Sequence, residues 1–600
     1  MKHLRPALLL VLSTALACGH PAAKPAPVPQ VLAPTAPTSS PAPSRSVTAD
    51  PGATTPVLAD RAAESPLMAA EVAELPREAK AAAANARGDA LLASDDGLEL
   101  QGLSAPSPVV AQRVGPARRI AGVSAQPMAA ERYAHQPETG FRQVSEQPLS
   151  TFSVDVDTAS YSNLRRFIDQ GQLPPPAAVR VEELVNYFSY ELPPPAAEHP
   201  ISVLTDVTES PFNAGRQLVR VSLHASAPKT REALARNLVL LIDTSGSMQA
   251  ENKLPLLQAS LRALVQQLGE RDRVAIVTYA GTSGVALQPT SCAHKQRIIE
   301  AIEQLGAEGS THGAAGIREA YALAGRHFDA KAINRVILAT DGDFNVGVTD
   351  EGSLVRMIEQ ERERGVFLTV LGFGMGNLND STMEKLADHG NGAYAYIDTL
   401  REGRKVLVEQ IGSTLSTVAK DTKLQIEWNP ARVASYRLIG YENRRLADEA
   451  FNDDKKDAGD MGDGHSVTAL YEIERRGASP AAAQVDPLKY QAARSPSAAA
   501  DSSELMTIKV RYKGPADARS KLLVHAVEDR VRPLSAALPD TRFAAAVAGF
   551  GMLLGGSQHG ALRYDAVREL ALTALGADRD GYRAEFLTLV ARARQIARAD

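Results

Sequence analysis

Asp243, Ser245 and Ser247 stand at alternate positions directly after an uncharged apolar run, Leu238-Val239-Leu240-Leu241-Ile242. A carboxylate followed by two hydroxyls offers only oxygen atoms, the ligands that small hard cations prefer, and the spacing reads as a Mg²⁺-type site. Asp-Thr-Ser-Gly-Ser can also be read as a serine-nucleophile loop, but its surroundings do not match Gly-x-Ser-x-Gly. His312 could be named as a base, although a lone loop histidine is more often a solvated neighbour. The acidic run Asp453-Asp454-Lys455-Lys456-Asp457, with Asp460 and Asp463 after it, could take Ca²⁺. It lacks a full loop signature and reads as a solvated linker between strands.

An apolar run without charge reads as a strand buried on both faces of a parallel sheet, and ligands sit at the carboxyl end of such a strand. From residue 237 to about 420 the pattern alternates strand and helix, which implies a parallel sheet sandwiched by helices. The expected strands are 237–242, 273–279, 334–340, 366–372 and a short edge at 394–397. The expected helices are 256–268, 296–305, 314–328, 351–364, 381–389 and a long closing helix from Arg401 to Lys420. A strand running into a turn is expected at 151–159, strands at 201–208 and 217–225 before this unit, and strands at 422–428, 433–441, 466–473, 505–512 and 522–527 after it. Strands on both sides imply an α/β unit inserted into a β-sandwich that both flanks close. Helices are expected at 540–554, 561–575 and 578–597, with Asp540 and Asp578 as N-caps. Phe543 to Gly556 is too short to span a bilayer and reads as a buried helix. Trp428, the one tryptophan, reads as core.

Six hundred residues exceed one core and imply about three or four units. A net charge of −5 gives no basic footprint, so nucleic-acid binding is not expected. With only Cys18 and Cys292, a disulfide framework is excluded. Lys2, His3 and Arg5, then the apolar Ala7 to Leu12, then Ala15-Leu16-Ala17-Cys18-Gly19, have the layout of a secretory signal. The cysteine at the cleavage point resembles a bacterial lipoprotein signal, though Ala15 stands where that family usually has leucine. Glycine at residue 19 implies, by that resemblance, sorting to the outer membrane. Residues 19–149, rich in Pro, Ala, Ser and Thr in their first part, read as a disordered tether.

Asp243-Thr244-Ser245-Gly246-Ser247, together with Gly309-Ser310-Thr311 and Thr340-Asp341-Gly342-Asp343, resembles the von Willebrand factor type A domain and its metal-ion-dependent adhesion site. The resemblance implies a Rossmann-like doubly wound fold. It also implies that Ser245, Ser247 and Thr311 offer oxygens to Mg²⁺ (Mn²⁺ or Ca²⁺ being alternatives), while Asp243 and Asp341 act directly or through water. A position left on the ion would accept an acidic residue of a protein partner. Beyond that domain, Ser153 to Tyr161, Arg180 to Phe188 and Phe550 to Leu554 look like a family of bacterial envelope proteins, some labelled calcium-activated chloride channel homologues. The implied organisation is a signal at 1–18, the tether at 19–149 and a von Willebrand-like region at 150–235. The type A domain follows at 236–420, then sandwich strands at 421–539 with a mobile insertion at 479–503, and helices at 540–600.

Asp155-x-Asp157-x-Ala159 resembles the nucleophile loop of a Mg²⁺-dependent phosphatase, in which the first carboxylate attacks phosphorus. That family wants Thr or Val at Ala159, and these aspartates read better as turn residues, caps or acceptors between domains. The expectation is therefore a non-enzymatic, lipid-anchored envelope protein, an adhesion or scaffold module that faces the periplasm or the cell surface and holds a partner through Mg²⁺. The competing expectation is a scaffold that uses the fold without metal. In related type A domains, engagement of the metal moves the last helix, here Arg401 to Lys420, so a coupled switch is also implied.

Overall fold

The computed structural model describes residues 131–599, except residues 135, 228–233, 281–282, 308–312, 343–350, 411–415, 457, 478–495 and 561. The expected signal with Cys18, the tether as far as residue 130, most of the insertion at 479–503 and the loop carrying Thr311 and His312 lie outside the described residues.

Strand Arg236–Asp243 runs parallel between Arg273–Tyr279 and Ile333–Thr340. Val366–Phe373 and Tyr394–Ile397 extend the sheet in parallel on one side, and Ser283–Ser291 closes the other edge antiparallel. Leu238, Leu240 and Ile242 pack in a core with helices Leu254–Gln267 and Lys295–Glu303. Val239 and Leu241 face the opposite core, with helices Gly313–Arg326, Glu351–Glu363 and Asp380–His389. A strand that buries both faces must be apolar throughout, which is why its pattern was legible. The edge strand Ser283–Ser291 was not expected: it alternates exposed and part-buried positions and carries Gly284 and Pro289, so its hydrophobic signal is weak.

The expected closing helix from Arg401 to Lys420 is corrected. The α-helix spans Leu400–Arg404 and passes into a single π-helical stretch, Lys405–Glu409, and a strand, Thr417–Trp428, has begun before residue 420. That strand pairs at its start with Gly459–Gly462 through two register shifts. A distant partner therefore decides the boundary, and helical periodicity in the sequence does not report it.

Two sheets form the sandwich. One has Arg142–Gln143, Val433–Ile439, Ser466–Arg475, Gln217–Ala225 and Ile201–Glu209 in spatial order; the other has Gly459–Gly462, Thr417–Trp428, Glu504–Lys513 and Lys521–Glu528, with Leu149–Ser153 also on Thr417–Trp428. Phe152, Val221, Trp428, Tyr436, Tyr471 and Ile508 share its core. Trp428 stacks on Tyr436 with ring centroids 5.3 Å apart. Each sheet mixes strands from both sides of the α/β unit, so the unit is an insertion. The folded body begins earlier than the expected boundary at 149: Glu131 pairs with Arg166, Arg132 bridges Asn379, and Arg142–Gln143 pairs with Ser435–Tyr436. These contacts are long-range and leave no local periodicity.

Helices Pro539–Gly555, Tyr564–Leu572 and Tyr582–Ala599 form a layer together with Ala159–Asp169 and Val181–Asn186. Asp540 is not an N-cap. Leu538 precedes the helix, and the Asp540 carboxylate accepts the Glu191 N–H at 2.6 Å and Arg583 at 2.7 Å. Asp578 lies outside its helix but does accept the N–H groups of Arg583 and Ala584, at 3.0 and 2.9 Å. Among the described residues no helix is long and apolar enough to cross a membrane.

A buried ionic hub joins these parts. Arg444, on the sandwich, reaches Asp157 at 2.9 Å, Asp388 at 2.6 Å, Glu384 at 3.2 Å and Asp155 at 3.4 Å. Arg180 reaches Asp380 at 2.7 Å and also pairs with Glu183. The second oxygen of Asp157 accepts the Tyr394 N–H at 2.7 Å. Asp155 and Asp157 are thus acceptors between the leading segment, the α/β unit and the sandwich. Carboxylates outnumber guanidinium groups here, and burial, the largest effect, pushes the Glu384 carboxyl from an ordinary 4.5 up to about 7. A carboxyl whose pKa rises on folding favours the folded state while protonated and loses that contribution as pH rises through the folded value. Glu384→Gln imitates the protonated group, so it is expected to raise Tm clearly at about pH 8 and much less near pH 5. Scanning calorimetry reads this, and an unchanged or lower Tm at the higher pH would refute it.

Candidate functional site

The parallel sheet brings its strand ends to one rim, and Asp243 is the last residue of the central strand. Its side chain is fully buried. One carboxylate oxygen accepts the Ser245 N–H at 2.9 Å, which turns the chain sharply off the strand. The other accepts the Tyr279 hydroxyl at 3.2 Å and the Thr340 hydroxyl at 3.3 Å, one from each neighbouring strand. Thr244 donates its N–H to the Tyr279 carbonyl at 3.0 Å, and Met248 is buried beneath the turn Gly246–Gln249, so the loop is anchored at both ends. The hydroxyl oxygens of Ser245 and Ser247 lie 3.0 Å apart. Ser245 is buried, whereas Ser247 faces solvent.

Asp341 follows strand Ile333–Thr340 directly and is also fully buried. Its Oδ2 accepts the Lys253 ammonium at 2.8 Å. Burial pushes the Asp243 carboxyl above its ordinary range; hydrogen bonds from Ser245 oppose the shift, and the Asp341 charge adds to it. Among the described residues, two neighbouring carboxylates and one ammonium, which pairs with Asp341, leave an excess of negative charge at this rim. Hard oxygen donors that converge in a place short of positive charge fit a small divalent cation.

Four of the five residues expected from sequence are therefore placed at one strand-end rim: Asp243, Ser245, Ser247 and Asp341. Thr311 lies outside the described residues, as do His312 and Asp343. Sequence reasoning missed Lys253, Tyr279, Thr340 as an Asp243 donor, and Gly374. Only Thr340 had a local signal, being adjacent to Asp341; the others come from separate elements. The rival sites have other uses. Both Asp157 oxygens are occupied by Arg444 and the Tyr394 N–H, so the loop of the rival phosphatase reading is tied into the interior. Among the described residues, the His/Cys/Asp/Glu cluster with converging ligand atoms is Asp157, Glu183 and Glu384, which already pair with Arg444 and Arg180. In the acidic run, Asp454 accepts the Ser520 hydroxyl at 2.6 Å, Asp460 the Asp421 N–H at 3.1 Å and Asp463 the Ala227 N–H at 2.8 Å, so these carboxylates brace neighbouring loops.

Gly374 follows strand Val366–Phe373 and has φ +75°; a Cβ there would overlap the Lys253 stem. Gly374→Ala combines a left-handed backbone with a blocked channel. It is expected to cost about 1–3 kcal/mol from the backbone alone, read as a lower Tm in thermal melting. An unchanged Tm would overturn this account of the channel.

Comparison with known proteins matches three stretches. The family described as von Willebrand factor matches residues 127–220, the von Willebrand factor type A domain matches 237–409, and the family described as the C-terminal region of uncharacterized protein YfbK matches 413–596. The first match also begins before the expected tether boundary at 149. Uncharacterized protein YfbK of Escherichia coli K12 is 45% identical over 468 residues, covering 76% of this chain and 80% of that one. Inter-alpha-trypsin inhibitor heavy chain H4 of Sus scrofa is 27% identical over 179 residues, covering 28% of this chain and 19% of that one. Among solved structures, a von Willebrand factor type A protein from Catenulispora acidiphila is similar with a TM-score of 0.37 at 16% identity, covering 65% of this chain and 89% of that chain.

Proposed function

The chain belongs to the YfbK family of von Willebrand factor type A proteins, and on that premise we propose that it binds a partner protein through a divalent cation at the rim of its α/β sheet. A type A domain gives it a protein-interaction or scaffold role. The finer reading is that Ser245, Ser247 and Thr311 hold Mg²⁺, with Mn²⁺ or Ca²⁺ as alternatives, and that Asp243 and Asp341 hold it directly or through water. The ion would supply a hard electrophilic position for an acidic side chain of the partner. No nucleophile or base is required, and the role is binding rather than catalysis. The observation that carries the reading is the convergence of Asp243, Ser245 and Ser247 at the end of the central strand, where burial and the neighbouring Asp341 charge disfavour the ionised Asp243 carboxyl.

Isothermal titration of Mg²⁺, Mn²⁺ and Ca²⁺ into the protein should give saturable binding that Asp243→Ala loses. Absence of binding in the wild type, with acetate present to stand in for the partner's carboxylate, would favour a scaffold that uses the fold without metal.

We also place the protein in the cell envelope, as an outer-membrane lipoprotein held by Cys18. The support is the basic start, short apolar stretch and small-residue approach to that cysteine. Cys18→Ser should move the protein from the membrane fraction to the soluble fraction; unchanged fractionation would reject lipid anchoring.

A further inference from the structure

Lys253 is a buried cation aimed at one of the two acidic residues of the metal rim, and neither the fold nor the family match assigns it a role. Its backbone is fixed on both sides of the entry to helix Leu254–Gln267: its N–H donates to the Ala250 carbonyl, and its carbonyl accepts the Leu257 N–H, both at 2.9 Å. Its stem runs through a channel beneath Gly374, where a side chain would overlap it. The covering loop is pinned in turn. The Gly374 carbonyl accepts the Tyr396 hydroxyl, and the Gly376 N–H donates to Glu131 at 2.8 Å. The ammonium thus has a built path to Asp341 and cannot swing to solvent without moving that loop.

We propose that Lys253 is a specificity-determining residue that makes cation binding at this rim conditional on an incoming carboxylate. The inference rests on the metal reading above. With Asp243 and Asp341 ionised, Lys253 brings the described part of the buried rim to a single negative charge. A divalent cation then leaves a surplus of one positive charge in a poorly solvated place, which is unfavourable until another anion arrives. One carboxylate from a partner restores neutrality. Without Lys253 the two aspartates alone would neutralise the cation, and the free protein would hold it without help. Linkage makes the effect reciprocal: the carboxylate tightens the metal by the same factor as the metal tightens the carboxylate. The partner chemistry that fits is therefore an acidic side chain presented singly, rather than a neutral or basic surface.

The test is titration of Mn²⁺ into the full chain, with and without saturating acetate, for wild type, Lys253→Met and Asp243→Ala. Met retains the stem in its channel and removes the charge. In the absence of acetate, Lys253→Met is expected to bind Mn²⁺ roughly tenfold or more tightly than wild type, as removal of an adjacent buried charge implies. Acetate should tighten binding to the wild type and have little effect on Lys253→Met. If the wild type binds and the variant binds no more tightly, with the same response to acetate, the Lys253 inference fails and the metal reading stands. If neither binds with acetate present, both fail. Lys253→Gln provides the same comparison should the Met variant unfold, and its thermal melt confirms that a folded protein was titrated.

Discussion

The structure depends on strand pairing across the inserted unit. Ser466–Arg475 pairs residue for residue with Gln217–Ala225, and Thr417–Trp428 pairs with Leu149–Ser153. The α/β unit leaves the sandwich after one of these strands and returns through another. Its entry and exit are therefore held by two sheets that share one core. Such pairing is non-local, and the sandwich can close only when chain from both sides of the insertion is in place. The rim of the α/β sheet is oriented by that frame.

The last helix shows what the frame adds. Arg165, on a helix that precedes the unit, binds Asp398 just before the last helix, Glu402 within it, and Glu585 in the closing helix of the chain. Lys405 lies in the π-helical stretch with its ammonium 2.8 Å from the centroid of the Tyr187 ring, and burial holds it down to about 7. On the opposite side Gly403 is pressed against Ser260 of helix Leu254–Gln267, the helix that starts at Lys253. One helix thus touches both the cation of the rim and the element clamped by the helical layer. Any movement of the last helix would have to break buried ion pairs that tie the type A domain to Arg165 outside it.

The ionic hub and the strand-end rim use the same physics in opposite ways. At Arg444 a guanidinium on the sandwich gathers carboxylates from two other parts of the chain, the leading segment and the α/β unit, and its planar fork allows several partners at once. At Asp341 the Lys253 ammonium reaches a buried carboxylate through a narrow channel. The first arrangement holds parts together; the second leaves room for a change of charge.

The amino-acid sequence by itself determined the alternation of strands and helices from residue 237 onward, the insertion into a β-sandwich, the Trp428 core and the oxygen-rich turn at Asp243 to Ser247. Those features are local: an apolar strand buried on both faces and a polar turn at its end are written in consecutive residues. Only the tertiary structure decided where the last helix stops, because Thr417–Trp428 takes its boundary from Gly459–Gly462. It likewise brought the Glu131 and Arg142 segments into the folded body, made Asp155 and Asp157 acceptors for Arg444, and laid Lys253 beneath Gly374 against Asp341. In each case the partners are far apart in sequence, and a charge or a glycine acquires its meaning from what the fold places beside it.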